Sequence, residues 1–480
     1  MNQDIKKKSV AALVWSAVDH FSAQGLGLII TIVIARLIMP ADYGILAMLS
    51  IFMAVSTVII NSGFSNYLIQ KKDSSATDFS TVFFLNVALG VTCYVILLLA
   101  SPFIASFYSQ PILSEIIKVY CLSLIISSLT LTQRAKLYIE NKFKRLSFIT
   151  IGSLIIAGTV AIILANKGLG VWALVWYYLL QASVSSLLIW ITTDWYPSAI
   201  FSKTSAKEAY TFGSKLLVAN FLSNAVANIY TLVIGKKFQV TELGLYSRGQ
   251  SLASIFPINM SSMLQQATYP ILCQLQNDSE GLKRLFINYI RTSAMLCFPL
   301  MTLLIALADP IVRVLLTDKW LPSVVFIQVL GIGYMFDPIM RLNSIILSVT
   351  GKTKYSLYSE VWKKVIMLVI LFTSLPFGIY WVAIGATTYC FIDLFIVTRY
   401  VKNIIPLSLR EEIKILFPFL IYCVFVYFVI VGGKTFISNS YIQLAIFTPV
   451  GCILYLLMAR SFSKTSYLLV MDNLRTLFKK

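Results

Sequence analysis

The chain has 480 residues, of which 58% are apolar and only 12% carry charge, with a net charge of +19. A soluble domain carries roughly 25% charged residues, so a water-exposed globule is excluded. The basic surplus reads as lysine and arginine retained on one membrane face rather than as a nucleic-acid surface.

In lipid the backbone must satisfy its own hydrogen bonds, which leaves helices or closed barrels. Runs such as 82–100 and 416–431 lack the alternation of barrel strands. The chain is therefore predicted to be an all-α integral membrane protein with about fourteen transmembrane helices. Their expected limits are 10–38, 43–67, 79–104, 112–133, 147–166, 171–193, 212–235, 243–274, 286–308, 322–349, 355–375, 379–400, 412–432 and 440–460.

The first helix follows Lys6-Lys7-Lys8, contains Asp19 and His20, and lacks a small-residue cleavage site. It reads as a permanent span, not a signal peptide. Asp19 is a candidate cavity residue, and with His20 it forms either a structural pair or a proton carrier. The first helix closes on Ala35-Arg36-Leu37-Ile38-Met39-Pro40-Ala41-Asp42-Tyr43-Gly44-Ile45, and Asn61 and Asn66 follow at the end of the second. The connection 134–147 mixes Leu137, Tyr138, Ile139 and Phe143 with basic residues and reads as an interfacial amphipathic helix against anionic headgroups.

In the seventh helix Asn220, Asn224 and Asn228 recur every four residues and share one stripe. That stripe suits either sugar hydroxyls or helix packing. The helix ends on Gly235-Lys236-Lys237-Phe238-Gln239-Val240-Thr241-Glu242-Leu243-Gly244-Leu245. As at residues 35–45, a basic residue, a hinge and acid-x-Gly open the next helix. The acid suits a helix N-terminus, and the glycine permits close packing. Arg36, Pro40, Asp42, Gly44, Lys236, Glu242 and Gly244 are thus hinge residues.

Charges within spans usually face a cavity or a partner. Arg248 and Arg291 have no acid three or four residues away, and a guanidinium suits a phosphate. Both are candidate substrate-binding residues. Arg341 is a third, although Asp337 four residues earlier suggests a local pair, as does Glu360 with Lys364. Lys215, Lys363 and Lys364 lie near helix ends, where lysines snorkel to headgroups. Asp393 completes this set of buried charges.

An even helix count puts both termini on one side. Basic residues concentrate there, at 6–8, 71–72, 134–145, 203–207, 283–284, 352–354, 399–414 and 479–480, so the termini are expected to be cytoplasmic. The hinge motif recurs six helices apart in the same orientation, which predicts two parallel six-helix lobes at 1–200 and 201–402. Residues 403–480 then supply two additional helices and a tail. A cavity between the lobes is expected. The seven cysteines form no CxxC pair and read as packing residues. No glycine-rich phosphate loop, nucleophile elbow or metal-ligand spacing is present, so neither enzyme chemistry nor cofactor nor metal is expected.

The stretch 35–44, with Asn61-Ser62-Gly63-Phe64 and Leu243-Gly244-Leu245-Tyr246-Ser247-Arg248, resembles bacterial polysaccharide exporters. These are the Wzx-type and related lipopolysaccharide flippases of the multidrug/oligosaccharidyl-lipid/polysaccharide superfamily. The resemblance implies a flippase of the bacterial inner membrane. It would move a polyprenyl-diphosphate-linked oligosaccharide outward by alternating access, through a cation-lined cavity. It also implies membrane lipids and a polysaccharide polymerase or export machinery as partners, and no nucleic acid. The early spans hold Asp19 but no mid-membrane arginine, so the cationic wall is expected mainly in the second lobe. The alternatives are an organic-cation exporter of the same superfamily, which should concentrate acids in its cavity, and a membrane-embedded polymerase or glycosyltransferase, which should carry acidic or arginine-rich catalytic loops on the outer face, where the connections here are short.

Overall fold

The computed structural model describes residues 22–471, apart from 62, 72, 277, 351–352, 465–466 and 469–470. Asp19, His20 and the basic tail lie outside the described residues, as does the side chain of Lys215. Among the described residues every regular element is helical. Large apolar side chains point outward, among them Phe103, Leu99, Ile191 and Phe428, each at least 66% exposed. An apolar exterior of this kind suits lipid. Ten helical stretches among the described residues are long and apolar enough to cross a bilayer.

The chain divides into two compact units, Met1–Gly244 and Leu245–Lys480. This boundary falls later than the sequence-based division at residue 200. The first unit holds α1 (Ser22–Leu37), α2 (Pro40–Ile60), α3 (Phe64–Gln70) and α4 (Ala76–Tyr108). It continues with α5 (Ile112–Tyr120), α6 (Leu122–Ser128), α7 (Leu131–Ile139), α8 (Phe143–Asn166) and α9 (Val171–Thr192). Then follow α10 (Lys203–Ala227), α11 (Ile229–Lys237) and the start of α12 (Val240–Gln274). Local chemistry sets several of these boundaries. Pro40 opens α2, where its missing N–H costs nothing. Gly63 takes φ +83° to turn the chain into α3. Ser75 and Asp78 cap α4 reciprocally.

Two expectations change here. The span predicted at 112–133 is three short helices, α5 to α7, that bend at Cys121 and at 129–130 and run on to Ile139. The stretch 134–147 is consequently no separate interfacial helix. Its first half continues a span, and a left-handed Asn141 turns the chain into α8. The packing of α8 on α9 rests on Ala157, Ala161, Ala165 and Ala173, all buried. Small residues every four positions let helices approach closely in lipid.

The second unit contains the rest of α12, then α13 (Ser279–Ala306), α14 (Ala308–Leu315), α15 (Val324–Tyr334) and α16 (Asp337–Val349). It ends with α17 (Thr353–Ser374), α18 (Ile379–Val401), α19 (Leu409–Lys434) and α20 (Ser440–Phe462). Phe286, Ile290, Ala294, Phe298 and Met301 make α13 its central pillar, each with no exposed surface. The last two helices pack on that pillar: the Tyr455 hydroxyl reaches the carbonyl of Ala294, and Gly451 lies against Leu303. Both helices are thus packed into the bundle of the second unit.

Candidate functional site

At the bends between α5, α6 and α7, hydroxyls bond back to the preceding turn: Ser123 donates to Tyr120 O at 2.6 Å, and Thr130 to Ser127 O at 3.0 Å. Irregular backbone at membrane depth is tolerated where it lines a polar cavity. Such a cavity, about 480 Å³, lies inside the first unit between α2, α5 to α7, α8 and α9. Thr57 and Asn61 face it from α2, Ser127 from α6, and Gln181 and Ser185 from α9. Its charge comes from Arg134 on α7, whose Nη2 donates to Ser185 Oγ at 2.7 Å. Tyr120 and Tyr178, with ring centroids 5.6 Å apart, add flat walls. A guanidinium among hydroxyls and amides can hold an oxyanion and a hydroxylated ring together.

Nothing in the spacing around Arg134 marks it as a site residue, because it stands beside the basic residues of a connecting segment. The bends of α5 to α7 carry it onto a span instead. The first unit therefore has a cationic cavity of its own, which corrects the expectation that early spans lack one.

In the second unit Arg248 is 5% exposed on α12, next to Tyr246, which packs edge-on against Phe326. Arg291 is half-buried on α13. Arg341 is 44% exposed and pairs with Asp337 at 2.8 Å, as the four-residue spacing predicts; Ser261 donates to the same carboxylate oxygen at 2.6 Å. The asparagine stripe is turned on its own helix. Asn224 donates to Asn220 O and Asn228 to Asn224 O, each at 2.9 Å.

Lys363 departs most from expectation. Its side chain, 5% exposed, does not snorkel but turns into the bundle between Asp393 at 3.0 Å and Glu360 at 3.1 Å. Lys364 lies 3.8 Å from Glu360, as expected. Glu412 carries no signal in the sequence, yet it is fully buried. Its oxygens accept from Asn343 Nδ2 at 2.8 Å and Thr398 Oγ1 at 2.9 Å. Hydropathy does not reveal it because Arg410, Glu411 and Lys414 around it mimic a solvated helix start.

The repeated hinge motifs meet in space, within the first unit. Asp42 accepts from Met39 N and Glu242 from Gln239 N, each at 3.0 Å, so both acids cap their helices. A methyl group on Gly44 would fall 1.9 Å from Val240 O, and one on Gly244 would fall 1.9 Å from Pro40 O. Each glycine thus receives the first-turn carbonyl of the other copy. Arg36 and Lys236 are both exposed, and the Lys236 ammonium lies 4.8 Å from the Phe107 ring.

A second polar cluster ties α3, α4 and α10. Lys71 Nζ reaches Tyr67 OH and Asp78 Oδ1 at 3.0 Å and Glu208 Oε2 at 3.2 Å, while Tyr67 OH donates to Glu208 at 2.7 Å. The Tyr67 hydroxyl, then Asp78, hold the Lys71 ammonium above its ordinary pKa. The same hydroxyl, then Lys71, lower that of Glu208.

The family model described as polysaccharide biosynthesis protein matches residues 33–325. The chain is 24% identical over 419 residues to the teichuronic acid biosynthesis protein TuaB of Bacillus subtilis, covering 85% of this chain and 86% of that one. It is 24% identical over 328 residues to the lipopolysaccharide biosynthesis protein WzxC of Escherichia coli, covering 68% and 67%. In fold it is similar to the lipid II flippase MurJ in an inward closed conformation. The TM-score is 0.75 at 16% identity, over 94% of this chain and 99% of that one.

Proposed function

The chain belongs to the polysaccharide biosynthesis protein family, and from that premise we propose that it is a flippase for a lipid-linked oligosaccharide. It carries a glycan on a polyprenyl diphosphate from the cytoplasmic to the outer leaflet of the bacterial inner membrane by alternating access, both termini being cytoplasmic. The observation that carries this reading is the polar Arg134 cavity set among apolar helices.

A bare diphosphate cannot enter hydrocarbon, because losing its hydration is too costly. Arg134 replaces that water with a planar, permanently charged donor fork. The hydroxyls and amides of Thr57, Asn61, Ser127 and Gln181 take up sugar hydroxyls, and the tyrosine faces bear on the pyranose rings. The prenyl chain stays in lipid. Arg248 and Arg291 are the corresponding cations of the second unit. An inside-negative membrane drives negative charge outward with about 2.3 kcal/mol per charge per 100 mV. An organic-cation exporter would want a carboxylate here, and the described lining contains none.

The test is complementation of a strain deleted for the gene. Arg134→Ala should lower surface polysaccharide roughly tenfold to a hundredfold, as expected for loss of a charge-assisted bond. Lipid-linked glycan should accumulate at the inner leaflet, with membrane insertion unchanged. Arg248→Ala and Arg291→Ala should act in the same direction. Full surface glycan in the Arg134 variant at normal protein level refutes the assignment.

A further inference from the structure

A different feature of the first unit, independent of the transport reading, lies at the junction of α7, α8 and α9. An open cavity of about 480 Å³ is bordered there by Lys142, Lys144 and Arg145, and closed by Phe148, Ile149, Leu188 and Thr192. The cations sit at the N-terminus of α8, which has neither a side-chain cap nor an acid in its first turn. Cations at that end oppose the helix dipole instead of complementing it. The local potential is thus strongly positive, and Glu140, 2.6 Å from Lys142 and 3.8 Å from Lys136, offsets only part of it. Arg145 is committed to structure, since its Nη1 donates to the carbonyl of Thr192 at the end of α9. The opposite wall is apolar and opens outward: Phe148 is 60% exposed, and Leu187 and Ile191 beside it are 59% and 69% exposed.

We propose that this cavity is a binding site for an anionic phospholipid, its phosphate held by Lys142 and Lys144 and its acyl chain laid along Phe148. Two observations favour a lipid over other anions. The cationic rim and the apolar wall belong to one cavity, so a single ligand must be charged at one end and greasy at the other. The apolar side also joins the outward-facing hydrocarbon surface of α8 and α9, where only a molecule already in the bilayer arrives. Basic pockets between membrane helices take anionic head groups in this way.

The test uses the full chain, delipidated in detergent and titrated with phosphatidylglycerol or phosphatidylcholine under native mass spectrometry. The wild type should retain phosphatidylglycerol in preference. Lys142→Gln with Lys144→Gln should weaken that binding roughly thirtyfold, and Lys142→Arg with Lys144→Arg should keep it. A control, Lys283→Gln with Arg284→Gln, removes the same charge elsewhere and should bind as the wild type does. Equal retention by the Gln pair, equal loss in the control, or equal binding of phosphatidylcholine overturns the site. Inorganic phosphate binding with the same dependence on the two lysines overturns the lipid assignment. Photoreactive phosphatidylglycerol on the wild type avoids any folding defect of the variants. Its label should fall within 142–149 or 187–192, and a label only elsewhere refutes the proposal.

Discussion

Substituting alanine for Gly44 is the most direct probe of the paired hinges. Its methyl carbon would lie 1.9 Å from Val240 O and 2.9 Å from Val240 Cγ1. Carbon–oxygen contacts close at about 3.3 Å, so the starts of α2 and α12 must part by about 1.4 Å. The obstacle is backbone, not a flexible side-chain tip. The cost therefore falls in the range of core overpacking, about 1–3 kcal/mol, which lowers the melting temperature by roughly 2–12 °C for a unit of this size. Gly244→Ala meets Pro40 O at the same 1.9 Å and should cost about as much. Because both methyls press on one crossing, separation forced by the first makes room for the second. The double variant should melt close to the worse single, since sites in contact do not add. Thermal melts monitored by size exclusion of purified protein decide the matter. A Gly44→Ala protein that melts like the wild type, or singles that sum in the double, would refute the reciprocal contact.

Other perturbations test the buried charges. Lys363→Met leaves Asp393 buried without its ammonium and should cost about 3–5 kcal/mol; adding Asp393→Asn should recover part of the loss in the same melts. Glu412→Ala strands the donors of Asn343 and Thr398 and should destabilise by about 1–3 kcal/mol, whereas Glu412→Gln keeps an acceptor and should be milder. The Lys71–Glu208 pair has a defined pH window. Glu208 is held below its ordinary 4.5, so its contribution is present above that pH and fades as pH falls through the lowered value. Lys71 is held above its ordinary 10.5, so its contribution is present below that pH and fades only in stronger alkali. Glu208→Gln should therefore melt slightly below the wild type at neutral pH, by a small margin because the pair is half-exposed. The two should converge in acid, and a difference that grows on acidification contradicts the pairing.

Hydropathy picks out ten stretches among the described residues, because an apolar run of about twenty residues suits little besides the thickness of a bilayer; the expected spans 212–235, 243–274 and 355–375 are helical but are not among those ten. The recurrence at 35–45 and 235–245 is legible too, since capping acids and close-approach glycines are local requirements. What escapes is direction. Lys363 and a snorkelling lysine look alike in sequence, and only the placement of Asp393 on α18 turns it inward. Arg134 is hidden for a related reason: the bends at Cys121 and 129–130 decide whether it lies beyond the span or within it, and no proline marks them. The asparagine stripe of α10 shares a face as expected, but i to i−4 bonding turns two of its amides onto the helix backbone.

The Lys363–Asp393 pair also bears on how the protein is made. Helix α17 carries Lys354, Glu360, Lys363 and Lys364, and it is not among the ten stretches of the described residues that are long and apolar enough to cross a bilayer. Each central charge opposes entry into lipid by about 2.5–3.5 kcal/mol. α18, which supplies the counter-charge, leaves the ribosome afterwards. Pairing Lys363 with Asp393 offsets part of that cost, so insertion of α17 together with α18 as a hairpin is the expected route. A chain truncated before α18 should accordingly insert less α17 than the full chain, which glycosylation mapping of the following loop measures.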